Sequence, residues 1–219
     1  MVTKDIILDV YDKLRQAEIQ YEIVPVLQYS QSTKEYWEPH SKTVLRTASK
    51  LNLFKLEQFD KVVYLDADSL FLKNPDELFN KYDGSIYRNY LENEDGFSGL
   101  FVCSPQNHNF EYYNILMQNT CSLDGDLFGY LFFTYKTNKE YQIDTKWFMH
   151  ILYLDKVKLE DIYGVHFCYD YKPWNYLDAD SYLKDFNNHF HCYDNENRKK
   201  MVQKYISEYL IPIKQKFDI

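Results

Sequence analysis

The chain has 219 residues, 45% of them hydrophobic and 26% charged, with a formal net charge of −8. That length buries roughly 70% of the unfolded chain's surface, so a core needs no disulfide support, and the composition excludes a disordered tail, a collagen-like chain and a coiled coil. The acidic balance argues against a nucleic-acid partner, and no stretch reaches the roughly 18 consecutive apolar residues of a membrane span.

The first nine residues carry Lys4, Asp5 and Asp9 where a signal peptide requires an apolar run, so a cytoplasmic location is expected. Ile6, Ile7, Val10 and Leu14 repeat at helical spacing behind Thr3 as N-cap. Glu22–Leu27 reads as a strand, and residues 28–41 show no clear period. Thr43–Phe54 reads as a helix with Val44, Ala48 and Leu51 on one face. Lys61–Leu65 is a continuous apolar run of the kind buried on both faces of a sheet. It ends at Asp66-Ala67-Asp68, after which Asn74–Phe79 reads as a short helix with Pro75 in its first turn. Strands are expected at Ser85–Tyr87, Leu100–Cys103 and Val165–Phe167, and helices at Phe110–Met117 and Asp124–Phe133. The basic cluster Arg198-Lys199-Lys200 reads as a solvated helix start, followed by an amphipathic helix through Met201, Val202, Tyr205, Ile206, Tyr209 and Leu210. Cys103, Cys121, Cys168 and Cys192 form no CxxC pair and read as free thiols. Alternating strands and helices predict an α/β fold with a mostly parallel sheet, in one domain.

Asp66-Ala67-Asp68 is the sharpest chemical signal. In an extended segment residues i and i+2 point the same way, and this pair follows the carboxyl end of a strand, where open α/β sheets place ligands. Hard oxygen ligands of this kind suit Mg²⁺ or Mn²⁺, although the same carboxylates could serve only to cap the following turn. His166 could complete such a coordination set or be structural, and Lys172 offers a point charge for phosphate.

The order of the motifs resembles glycosyltransferase family 8. It runs from Lys50-Leu51 through Phe59–Asp68 and Asn74–Phe79 to Phe97-Ser98-Gly99-Leu100-Phe101-Val102. Asp124-Gly125-Asp126 follows, then His166-Phe167 with Lys172-Pro173-Trp174-Asn175-Tyr176. The last of these shares its wording with the family's glycogenin branch, and the likeness covers residues 1–180, with 181–219 left as a C-terminal helical segment. The resemblance implies a GT-A fold: a Rossmann-like nucleotide-diphospho-sugar domain with a single mixed, mostly parallel sheet flanked by helices. It implies retaining, Mn²⁺-dependent (or Mg²⁺-dependent) transfer of glucose or galactose from a UDP-hexose to a hydroxyl of a carbohydrate or protein acceptor. Carried over by position, Asp66, Asp68 and His166 are metal ligands. Lys50, Lys172 and Gly99 contact the donor, and Asp126 stands near the transferred sugar.

The chain departs from the family pattern at Phe97, Leu127 and Tyr169, where the family has Asn, Gln and Gly. The first two remove amide contacts and the third adds a side chain beside the diphosphate. The resemblance implies an opening strand–loop–helix unit ahead of Met1: either the chain starts further upstream than Met1 or it is a reduced family member, whose strand flank would be open to dimerisation. These departures favour a second expectation, a non-catalytic scaffold that binds sugar or protein; a third is a glycogenin-like primer that glucosylates one of its own 22 tyrosines, none of which the sequence singles out.

Overall fold

The computed structural model describes residues 2–3, 8–20, 23–37, 44–82, 85–87, 97–119, 142–167, 171–176, 178–191, 195–212 and 215. Among them the strands are β1 (Val2–Thr3), β2 (Ile23–Val24), β3 (Val62–Leu65), β4 (Ser69–Phe71), β5 (Ser85–Tyr87), β6 (Phe97–Cys103), β7 (Gln142–Ile143), β8 (Met149–His150) and β9 (Gly164–His166). Two compact units emerge: Met1–Tyr64 with Leu78–Ile86 and Asp95–Ile143, and Leu65–Glu77 with Tyr87–Glu94 and Asp144–Ile219. No helix among the described residues is long and apolar enough to cross a membrane.

In the first unit β1 and β2 pair in parallel, and a four-stranded sheet runs β3-β6-β5-β7. Its core joins Leu27, Tyr29, Phe101, Cys103 and Met117 to Ala48, Leu51, Leu53 and Phe54. The last four come from a helical run, Val44–Lys55, that is 3₁₀ rather than α. Ala48, Leu51 and Phe54, all fully buried, recur every third residue, which is the period that lines up one edge of a 3₁₀ helix. Buried Asn52 ties this run to the chain behind β2, its Nδ2 donating to the carbonyls of Pro25 and Ser49 at 3.0 and 2.9 Å.

In the second unit β9 is central, antiparallel to β4 and parallel to β8. Helices cover a core of Val165, Phe167, Tyr182, Phe186, Val202 and their neighbours. The first, Ala179–Phe190, is capped by Asp178, whose carboxylate accepts from the Ser181 amide at 2.8 Å. The second, Glu196–Lys204, is capped by Asn195 and continues as a π-helical turn through Leu210.

The α/β class is borne out, with differences of detail. The described strands divide among sheets of two, four and three strands rather than lying in a single sheet. β3 is only half-buried, because among the described strands it stands at the edge of its sheet. Thr3 lies in β1, and the first helix is described from Leu8 to Gln16, so Ile6 and Ile7 lie outside the described residues. Residues 28–41 contain a helix, Gln31–Trp37, started by the buried Ser30 hydroxyl accepting from the Thr33 amide at 3.2 Å. Cys103 is buried and forms no disulfide among the described residues; the other three cysteines and the helix expected at Asp124–Phe133 lie outside the described residues.

The basic cluster does open a helix, but Arg198 is not solvated; it is 2% exposed. Its Nε and Nη2 donate to the carbonyls of Ile151 and Leu152 at 3.3 and 3.0 Å, and Nη1 donates to Asn187 Oδ1 at 3.0 Å. The guanidinium also lies over the Phe186 ring, 5.2 Å from its centroid. One planar fork thus joins three segments, a geometry that an ammonium cannot reproduce. Arg198→Ala leaves several buried acceptors unpaired and should cost about 3 kcal/mol in urea unfolding, with Arg198→Lys recovering only part. A loss below about 1 kcal/mol would contradict this role.

Candidate metal centre

β3 ends at Leu65, the chain turns through Ala67 and Asp68, and β4 begins at Ser69. Asp66 and Asp68 therefore sit in a turn, not in the extended segment expected from their spacing. They converge all the same, because β4 is held against β9. Ser69 pairs in register with His166, and the Phe167 amide donates to the Asp68 carbonyl at 2.8 Å. One ligand atom from each of Asp66, Asp68 and His166 lies within 4.8 Å of the others.

β9 can approach so closely because its first residue is Gly164. A Cβ there would meet the Trp147 carbonyl at 2.6 Å and the Phe71 ring at 2.9 Å. Any side chain at 164 would push β9 away from β4 and carry His166, two residues on, with it. Neighbouring backbone bonds reinforce the contact: the Tyr163 amide donates to Lys146 and the Leu72 amide to Tyr163, at 2.6 and 2.7 Å.

The electrostatics centre on Asp68. His166 Nε2 lies 3.0 Å from Asp68 Oδ1, and Lys172 Nζ donates to Asp68 Oδ2 and to the Phe167 carbonyl. Burial pushes the Asp68 carboxyl up, but the hydrogen bonds and charges of His166 and Lys172 together outweigh it and hold the group well below the usual carboxylate range. The donor set of two carboxylates and an imidazole fits Mn²⁺ or Mg²⁺. Ser69, beside Asp68 in the chain, has a buried hydroxyl with no hydrogen-bond partner among the described residues.

Of the other residues singled out by sequence, Lys50 and Gly99 belong to the first unit. Lys50 is buried, with Nζ 5.1 Å from the centroid of the Tyr64 ring, and Tyr64 stacks on Phe101 at 4.8 Å. Gly99 is buried within β6. Asp126, Leu127 and Tyr169 lie outside the described residues, and Phe97 is described only as the first residue of β6.

Sequence reasoning passed over Phe148 and His150. The His166 ring stacks on Phe148 at 5.0 Å and meets His150 edge-on at 5.7 Å. Their signal was present as aromatic residues at alternate positions, 148 and 150, but β8 is too short to announce itself as a strand. Burial, with the nearby charges of His166 and Lys172, outweighs the opposing pull of Asp68 and pushes the His150 imidazole down to about 3.

A base with a depressed folded pKa contributes stability that is complete above its unfolded value, about 6.5, and is lost as the pH falls towards about 3. Asp68 acts in the same direction lower down, its contribution complete above about pH 4 and lost below it. In the metal-free protein the urea midpoint should fall continuously from about pH 6.5 downward. His150→Phe should flatten the limb between about pH 6 and 5 and keep the drop below 4; an unchanged limb would show that His150 is not a neutral, buried base.

Comparison with known proteins agrees with the motifs. Glycogenin-1 of Caenorhabditis elegans is 41% identical over 64 residues, which are 29% of this chain and 15% of that protein. Glycogenin-1 of Homo sapiens is 30% identical over 146 residues, or 59% of this chain and 40% of that protein. The Mus musculus protein of the same name is 30% identical over 144 residues, covering 59% and 42%. The chain thus spans less than half the length of each of these relatives. The crystal structure of the apo-form glycosyltransferase GlyE from Streptococcus pneumoniae TIGR4 superposes on 89% of this chain and 64% of its own, with a TM-score of 0.48 and 12% identity. No protein-family model matches the chain. Over the region that the sequence matches cover, the chain is similar to the glycogenins of these animals.

Proposed function

We propose that the protein is a retaining hexosyltransferase of GT-A fold that moves glucose or galactose from a UDP-hexose to an acceptor hydroxyl and requires Mn²⁺. The observation that carries this reading is the convergence of Asp66, Asp68 and His166, the last two 98 residues apart in sequence, on one point with metal-ligand chemistry. In the reaction the bond from C1 of the sugar to the diphosphate oxygen breaks, the acceptor oxygen bonds to C1, its proton is released and UDP departs. Asp66, Asp68 and His166 would hold the ion, which when bound supplies Lewis-acid stabilisation of the charge developing on the diphosphate. Lys172 and Lys50 would add positive charge to the same diphosphate, Gly99 would line the donor's path and Asp126 would stand by the transferred sugar.

Lys172 has a double allegiance in this scheme. Its ammonium donates to Asp68, so a metal ion and Lys172 would compete for one carboxylate. Lys172→Ala should therefore tighten Mn²⁺ binding by a few-fold in calorimetric titration while weakening UDP binding about 10-fold or more. Mn²⁺ affinity that falls in this variant would contradict the competition. Asp68→Asn should weaken Mn²⁺ binding by more than about 100-fold and abolish UDP-hexose turnover; full turnover in Asp68→Asn would refute the metal assignment.

The same contact favours a second reading, a scaffold in which Lys172 and His166 permanently satisfy Asp68 and no ion enters. Mass spectrometry of the intact protein after incubation with UDP-glucose and Mn²⁺ separates the self-glucosylating form of the proposal from the others. Mass increments of whole hexose units support priming, and their absence alongside turnover assigns the acceptor to another molecule.

A further inference from the structure

His166 is the one residue of the metal group whose imidazole must be aimed. A carboxylate offers two equivalent oxygens and tolerates rotation, whereas an imidazole presents one lone pair in the plane of its ring. At a metal site the ring plane therefore has to be set by contacts other than the ion.

Two rings from one short segment supply those contacts. Phe148 immediately precedes β8 and His150 ends it, and both rings meet the His166 ring. β8 runs parallel to β9 with His150 paired in register to His166, which sets the two rings side by side. Phe148 lies nearly parallel to His166, with 18° between the planes, and covers its face. His150 stands across the ring at 73° and closes its edge. His150 is backed by Tyr153, stacked on it at 5.3 Å, so it cannot give way without displacing a second buried ring. Phe148 and His166 are 1% and 3% exposed, too enclosed for the imidazole to turn over without moving its neighbours.

We propose that Phe148 and His150 are positioning residues that grip the His166 imidazole on face and edge and aim its Nε2 at the Asp66 and Asp68 carboxylates. The inference rests on the metal-binding reading above. It assigns to His150 a task of shape and packing rather than of ligation. A ring without nitrogens should therefore serve at 150, and a small side chain should not.

The test is Mn²⁺ affinity of the full chain, read by calorimetry and by the electron paramagnetic resonance of free Mn²⁺. The wild type is compared with His150→Ala, His150→Phe and Leu183→Ala, the last a core truncation on helix Ala179–Phe190 that lowers stability without touching His166. His150→Ala should weaken Mn²⁺ binding about 10-fold, the usual effect of removing a residue that orients a ligand. His150→Phe should stay within about threefold of wild type, and Leu183→Ala should bind as wild type despite its lower melting temperature. Wild-type affinity in His150→Ala would overturn the proposal, as would His150→Phe as weak as His150→Ala, which would make the nitrogen the essential feature. Equal weakening in Leu183→Ala would overturn it too, by reducing the effect to general loss of stability. A wild type that binds no Mn²⁺ would instead remove the metal reading itself, and the positioning role with it.

Discussion

The second unit is organised around one carboxylate. Asp68 sits at the turn where β3 gives way to β4, and both of its oxygens are engaged, by His166 from the end of β9 and by Lys172 a few residues further on. Its backbone carbonyl accepts from Phe167, so main chain and side chain together tie the turn to β9. A carboxylate this well satisfied stays ionised far into acid, and an ionised, half-buried acid is the condition for holding a cation. The neighbourhood follows from this. Gly164 permits the close approach of β9, Phe148 and His150 flank the imidazole, and Arg198 braces the 151–152 carbonyls just beyond β8. The site is precise because the turn that carries Asp66 and Asp68 and the strand that carries His166 are held together by backbone hydrogen bonds.

The same arrangement separates folding from function. A protein folded without metal must neutralise Asp68 by some means, and Lys172 and His166 do so. The groups that neutralise Asp68 are those that the proposed chemistry employs: the imidazole as ligand and the ammonium as a charge for the diphosphate. The cost of such economy is competition between Lys172 and the ion for one carboxylate.

Much of this was legible in the sequence. Asp66 and Asp68 stand out because an apolar run stops abruptly at them, and His166 and Lys172 because a short strand leads into Lys172-Pro173-Trp174. The buried face of Val44–Lys55 followed from Ala48 and Leu51, although the three-residue recurrence through Phe54 carries a 3₁₀ helix where an α-helix was expected. The less legible features depend on partners distant in sequence. Arg198 reads as one of three surface cations until Ile151, Leu152 and Asn187 are brought to it, and nothing in its local spacing names those partners. His150 ends a two-residue strand and Phe148 immediately precedes it, a stretch too short for period-two alternation to register. Gln31–Trp37 is a polar helix whose one clear mark is the Ser30 cap.

The central claim is that Asp66, Asp68 and His166 form a divalent-metal site that serves a nucleotide diphosphate. Its most direct measurement is a calorimetric titration of the protein with UDP, once with saturating Mn²⁺ and once with EDTA. Binding in the first titration and none in the second is the predicted result. Equal binding with and without metal, or no binding in either, would contradict the account.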